Sequence, residues 1–560
     1  MKRIWLATTL VICGLAQAMI GGQAARAEDK PTGAKLLPKD TLVFASVPSV
    51  SKSKDEFDKS LMGAMFRDAE LKPFLDDVRK KIDEKAKEEL GVSLDELLAI
   101  PQGEVTFALI ERARKLAPLL MIDYGDNKET VAKLLKKLHD ELKQEMEYST
   151  QELEDVTVHV FTVKNQDPAA PFNKVVYFNE DSYLVFSSDV VALKEVLTRR
   201  KGESENTLAN SDVYKYIQDL CKVDADPTTV WFTSPIGLIR SGLNIAQKSM
   251  GASVGMVAIF LPTLGVDKLK GWGGAGYYAA GDFDSITKMF LYADQPSKGI
   301  PAVFQFSAED LAPPKWVSAN TSAYFSANWD ISEAYLALEK LLDGTYGAGF
   351  TGKQLDALAD KDPGIHLKQD LIDVLDGKFH LVQRFEANEG GPPTTNILLA
   401  LDVKDAVRMK KTLAKATQRG IETREFNGET IYELNLGGQT ISLAVAAGHF
   451  VVTNDTETLE GMLRTEAQPS LVDSAPYRKI AKQFPAKLSM LSYSKSDSQM
   501  KWLYQLLKSN DNQGFLEGID FKKLPPFEVL EKYLRASGSY TIPDKKGALY
   551  VGFQLQEGDE

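Results

Sequence analysis

A series of sequence features in the first half of this chain returns, in the same order, in the second. Ser182-Tyr183-Leu184-Val185-Phe186-Ser187-Ser188-Asp189, followed by Leu193, Val196 and Leu197, matches Gly448-His449-Phe450-Val451-Val452-Thr453-Asn454-Asp455, followed by Leu459, Met462 and Leu463. Each reads as a strand, a capping aspartate and an amphipathic helix. Thr41-Leu42-Val43-Phe44-Ala45-Ser46 pairs with Thr321-Ser322-Ala323-Tyr324-Phe325-Ser326, and Leu119 to Asp123 pairs with Leu398 to Asp402. Thr157-Val158-His159 matches Thr430-Ile431-Tyr432, and Ser211 and Tyr214 match Ser474 and Tyr477. A collinear repeat of this length predicts a duplicated domain whose copies pack together.

The periodicities give each copy the same composition of elements. Apolar residues alternate along short runs such as Thr41 to Val47 and Leu549, Val551, Phe553, Leu555, which predicts half-buried strands. Val131, Leu134, Leu135, Leu138, Leu142 and Met146 form one stripe at helical spacing. Strands joined by short links imply antiparallel pairing. We therefore expect an α+β fold: a tandem duplication of an antiparallel or mixed sheet domain with helices packed on one face. The divisions fall at residues 1–27 (a signal peptide), 28–310 and 311–560, with Ala312-Pro313-Pro314-Lys315 as a linker.

The N-terminus sets the expected compartment. Lys2 and Arg3 precede an uncharged apolar run to Ile20, and Ala25 and Ala27 supply the small residues of a cleavage site. Cleavage there makes Glu28 the first mature residue and the protein exported, periplasmic or extracellular, with no membrane span remaining. It also removes Lys2, Arg3 and Arg26 and no acids, taking the net charge from −12 to −15. So acidic a surface repels phosphate backbones, which excludes nucleic acid and anionic lipid as partners. Cys221 alone remains after cleavage, on a helix pattern with Val213, Ile217 and Leu220, and is expected to be buried.

Catalytic signatures lack their contexts. Gly251-Ala252-Ser253-Val254-Gly255 fits a nucleophile-elbow pattern, but Ser253 follows a helix pattern where the motif needs a strand. Gly347 to Lys353 resembles a phosphate-binding loop, yet Gln354 stands where Ser or Thr is required. Gly271 to Gly276 lies in a strand pattern and reads as close packing. His139, His159, His366, His380 and His449 lie far apart, none at metal-ligand spacing, so we expect no metal and no cofactor. Asp189 and Asp455 read as helix N-caps. Asp123 and Asp402 end strands and read as turn residues, a paired acidic site being the alternative if the copies meet face to face.

Leu36-Leu37-Pro38-Lys39-Asp40-Thr41-Leu42, then Ser46-Val47-Pro48, resembles the opening of an uncharacterised family of large exported bacterial proteins, a domain of unknown function. The resemblance implies an exported α+β protein and assigns no activity. We expect a non-catalytic protein that binds a partner protein or apolar ligand, or serves in an envelope assembly. The alternative is a hydrolase using Ser253 or residues scattered in sequence. Between Ser249 and Val266 the chain carries no charge, whereas its counterpart, Ser509 to Leu530, is polar. Met256, Val257, Phe260 and Leu261 in that segment are the candidate contact residues.

Overall fold

The computed structural model describes residues 30–164, 172–250, 252–361, 363–386, 394–416, 421–464, 468–495, 497–508 and 519–556. The expected leader and its cleavage site lie outside them. The first half contributes strands β1 (Val43–Val47), β2 (Val105–Arg112), β3 (Lys115–Asp123), β4 (Met146–Leu153) and β5 (Val156–Val163). It continues with β6 (Lys174–Glu180), β7 (Tyr183–Ser187), β8 (Thr229–Thr233), β9 (Leu269–Ala280) and β10 (Phe283–Ala293). The second half contributes β11 (Ala323–Asn328), β12 (Leu375–Glu386), β13 (Thr394–Val403), β14 (Glu422–Phe426) and β15 (Glu429–Leu436). Then follow β16 (Gln439–Ala446), β17 (His449–Thr453), β18 (Met490–Ser494), β19 (Ser537–Asp544) and β20 (Gly547–Leu555).

All twenty join one antiparallel sheet. Hydrogen-bonded neighbours run β4, β5, β6, β7, β3, β2, β1, β8, β9, β10 in the first half. Across the seam they run β20, β19, β18, β11, β12, β13, β17, β16, β15, β14. The second half thus repeats the order of the first, and even the register: Asp123 lies opposite Tyr183, and Asp402 opposite His449. Two-residue turns enforce the pairing. Ala113-Arg114, Glu154-Asp155, Asp181-Ser182 and Ala447-Gly448 all have positive φ at both positions, the hairpin geometry that matches strand twist.

The α+β class is as expected, but helices cover both faces of the sheet instead of one. Tyr183 and Val185 of β7 enter one core with Leu193 and Val196 of the helix Val190–Arg200 and Ile217 of the helix Asp212–Cys221. Leu184, between them, enters another with Val131 and Leu142 of the helix Lys128–Glu145. Alternate residues point to opposite faces, and here both sets are apolar. The second half does the same, with Ala444 and Ala446 on one side and Val445 on the other.

The first of these cores is continuous across the seam, containing Phe44 and Phe290 with Tyr324, Tyr493 and Phe553. The residues on either side of the expected linker belong to it, Leu311 and Val317 both being buried. Leu471 N donates to Val317 O at 2.7 Å, as Leu208 N donates to Leu37 O at 2.7 Å in the first half. Glycines bring helix and sheet together: a Cβ at Gly271 would stand 2.6 Å from Val213 Cγ1, and one at Gly538 2.6 Å from Ile480 Cγ2. That is a packing role for the glycine-rich β9.

Candidate functional site

The uncharged segment forms the helix Ala252–Leu264, which follows the helix Pro235–Met250 directly. Ser253 therefore sits at the start of a helix preceded by another helix, without the strand that a nucleophile elbow needs. Its side chain, with those of Met256 and Val257, lies outside the described residues. The remaining candidates divide: Leu261 is buried, whereas Phe260 is 50% exposed and the adjoining Ile259 73%. This helix packs against the helix Ile331–Tyr346 of the second half, where Leu338 and Tyr346 are also exposed. Among the described residues no helix is long and apolar enough to cross a membrane.

Other features resolve into structural roles. Asp343 accepts hydrogen bonds from Gly349 N and Thr351 N, both at 2.8 Å, so a carboxylate of the chain already occupies the amides that a phosphate would use. Cys221 is buried, and burial pushes its thiol up to about 12, leaving no thiolate for chemistry. Asp189 and Asp455 cap their helices, accepting from Ala192 N and Thr458 N at 3.0 Å. The seam carries an open groove of about 590 Å³, lined by hydroxyls of Ser285, Thr287, Ser537, Ser539 and Tyr550. Such a lining suits polar groups better than an apolar ligand.

Asp123 and Asp402 do not meet, because ten strands separate β3 from β13. Asp402 has acquired different neighbours. β12, β13 and β17 are adjacent, and they bring His380 and His449, which sequence spacing held apart, to the same carboxylate oxygen. His449 Nε2 lies 3.1 Å and His380 Nε2 3.3 Å from Asp402 Oδ1. Both rings are buried, with centroids 5.5 Å apart, and Trp316 covers them at 5.4 Å from His449 and 6.0 Å from His380.

Two hydroxyls hold the other nitrogen of His380. Ser326 Oγ donates to Phe379 O at 3.1 Å and lies 3.1 Å from His380 Nδ1, with Tyr324 Oη 2.7 Å from the same nitrogen. Asp402 Oδ1, His449 Nδ1 and Trp316 Nε1 are buried without well-aligned hydrogen-bond partners.

The first half provides an internal comparison. Register equates His380 with Thr106, each opposite a serine of the opening strand, and equates His449 with Tyr183. There the carboxylate of Asp123 holds a lysine: Lys30 Nζ is 2.8 Å from Asp123 Oδ1, 2.7 Å from Ser182 Oγ and 5.1 Å from the Tyr183 ring centroid. One carboxylate position thus faces an ammonium in one half and two imidazoles in the other. His139 and His159 also meet, with ring centroids 5.2 Å apart, among the rings of Tyr148, Phe161 and Tyr177.

These environments set a pH dependence. Burial pushes His380 below the usual 6.5 despite the neighbouring Asp402. Burial alone would raise Asp402, but the two imidazoles outweigh it and hold the carboxyl well below 3.8. In metal-free protein, unfolded His380 takes up a proton that the folded form refuses, so stability falls as pH drops through 6.5. It falls again below 3.8, as the unfolded carboxyl protonates before the folded Asp402 does. His139 and His159, also lowered by burial, act in the first window, so the His380 share is isolated by comparison with His380→Phe. Urea midpoints measured from about pH 7 to 5 should decline less steeply in that variant, and equal slopes would contradict the assignment.

No family model matches the chain, and no curated protein matches it. Two solved structures, of crystal forms I and III of TP0453, are 13% and 14% identical to it. They cover 44% of this chain and 80% and 81% of their own, with TM-scores of 0.22 and 0.23, and carry no functional argument.

Proposed function

We propose that this chain is an exported, non-catalytic protein that binds a protein partner through the apolar surface around Ile259 and Phe260. The observation that carries this reading is the 73% exposure of Ile259 beside the 50% exposure of Phe260, on a helix whose sequence contains no charge. Apolar side chains left in water beside one another are the usual mark of a contact surface, and aromatic residues supply much of the energy at interfaces. A partner protein is favoured over an apolar ligand because the groove at the seam is lined by hydroxyls. The hydrolase reading loses ground through the helical setting of Ser253. Export follows from the basic and apolar leader, and origin by duplication from the repeated order of strands.

A photoreactive phenylalanine analogue at position 260, in cells exporting the protein, should yield a discrete adduct. Adding Ile259→Asp should abolish it without shifting the thermal midpoint. The analogue at Val191, 55% exposed on the first half, should give none. The same adducts from both positions, or none from 260, would overturn the surface, and a mature chain that retains Met1 would overturn export.

A further inference from the structure

We infer that His380, Asp402 and His449 form a binding site for one divalent transition-metal ion, of which zinc is the best match. The inference is independent of the partner surface. Their ligand atoms all lie within 4.8 Å of one another. Zinc bonded to nitrogen and oxygen at about 2.0–2.2 Å in a tetrahedron sets its ligand atoms roughly 3.4 Å apart. The two separations from Asp402 Oδ1, 3.1 and 3.3 Å, already approach that edge.

The orientation of the groups points the same way. Two imidazole nitrogens converge on one buried carboxylate oxygen that has no well-aligned hydrogen bond. A cation placed among the three would bond both nitrogens and the carboxylate oxygen at once. Ser326 and Tyr324 hold the other nitrogen of His380, as outer partners commonly hold a metal-bound histidine. Two imidazoles with one carboxylate suit zinc and its first-row neighbours, whereas calcium and magnesium prefer all-oxygen sets. The equivalent carboxylate in the first half already has a cation of the chain's own, the ammonium of Lys30. This comparison gives the inference its stoichiometry of one ion per chain.

The test uses full-length mature protein stripped with chelator, equilibrated with zinc chloride, desalted and assayed for metal. One zinc per chain is expected. Asp402→Asn and the double variant His380→Thr with His449→Tyr, which copies the first half, should each bind at least tenfold more weakly. Asp123→Asn should keep full occupancy. Ser326→Ala should weaken binding about tenfold, the usual effect of removing an outer partner. Cobalt substituted for zinc should give visible d–d absorption in the wild type and none in Asp402→Asn. Should the double variant not fold, Asp402→Asn preserves shape, and zinc should raise the wild-type thermal midpoint but not that of Asp402→Asn. Wild-type protein that retains no zinc, or variants that retain it equally, would overturn the site.

Discussion

Replacing Asp455 by alanine is expected to cost about 3–5 kcal/mol, against about 1 kcal/mol for Asp189→Ala at the equivalent position. Both carboxylates cap a helix with the same 3.0 Å bond. Only Asp455 also neutralises a buried guanidinium: Arg384 lies 2.8 Å away, with side-chain exposures of 12% and 5% for the two partners. Removing the carboxylate strands a positive charge out of reach of bulk water, and the cost is that of an uncompensated ion in addition to a lost cap. Glu386 and Glu457 approach the same guanidinium, but their side chains are 51% and 78% exposed, so water screens much of their attraction. Urea denaturation of the two variants decides the matter. Equal losses would show that Arg384 contributes nothing at this cap.

Phe290→Ala is expected to cost about 3–5 kcal/mol, the range for emptying a large aromatic site. The ring is fully buried and packs at 5.5 Å from Tyr216 and 6.4 Å from Tyr292. Its strand, β10, is the one that pairs with the second half, and its core contains residues of both halves. The loss should therefore appear as an earlier single transition. Hydrogen exchange should report the same drop in β2 of the first half and β12 of the second. Two separated transitions, with only the first half weakened, would show that the halves unfold independently.

The parts of this fold legible in the sequence are those fixed by local chemistry. Strand β7 and its capping Asp189 were legible because alternation and a short carboxylate before a helix have local causes, and the same signals recur at β17 and Asp455. Burial of Cys221 followed from its helical stripe. The second layer of helices was not legible, because strands apolar on both faces look like strands apolar on one when other residues interrupt the run. The segment from Ala312 to Lys315 has the composition of a linker, and only the burial of Leu311 and Val317 beside it reveals docking. The histidine pair was missed for a similar reason. His380 and His449 come together only through the order of β12, β13 and β17, which spacing along the chain does not encode. The repeat held the available clue, since it aligned Asp402 with Asp123 and His449 with the tyrosine opposite that aspartate.

The seam between β10 and β20 makes each half the other's edge protection. Their pairing runs from Phe283 opposite Leu555 to Tyr292 opposite Gly547, and the two strands hold equivalent places in halves of the same order. A half released from its twin would present an unpaired strand whose natural complement is the corresponding strand of another such half. The arrangement is that of a symmetric dimer written into one polypeptide. Because one chain supplies both sides, the pair always meets at a ratio of one to one, while each side remains free to change its chemistry. Lys30 in one half and the two imidazoles in the other are a difference that identical subunits would have had to share.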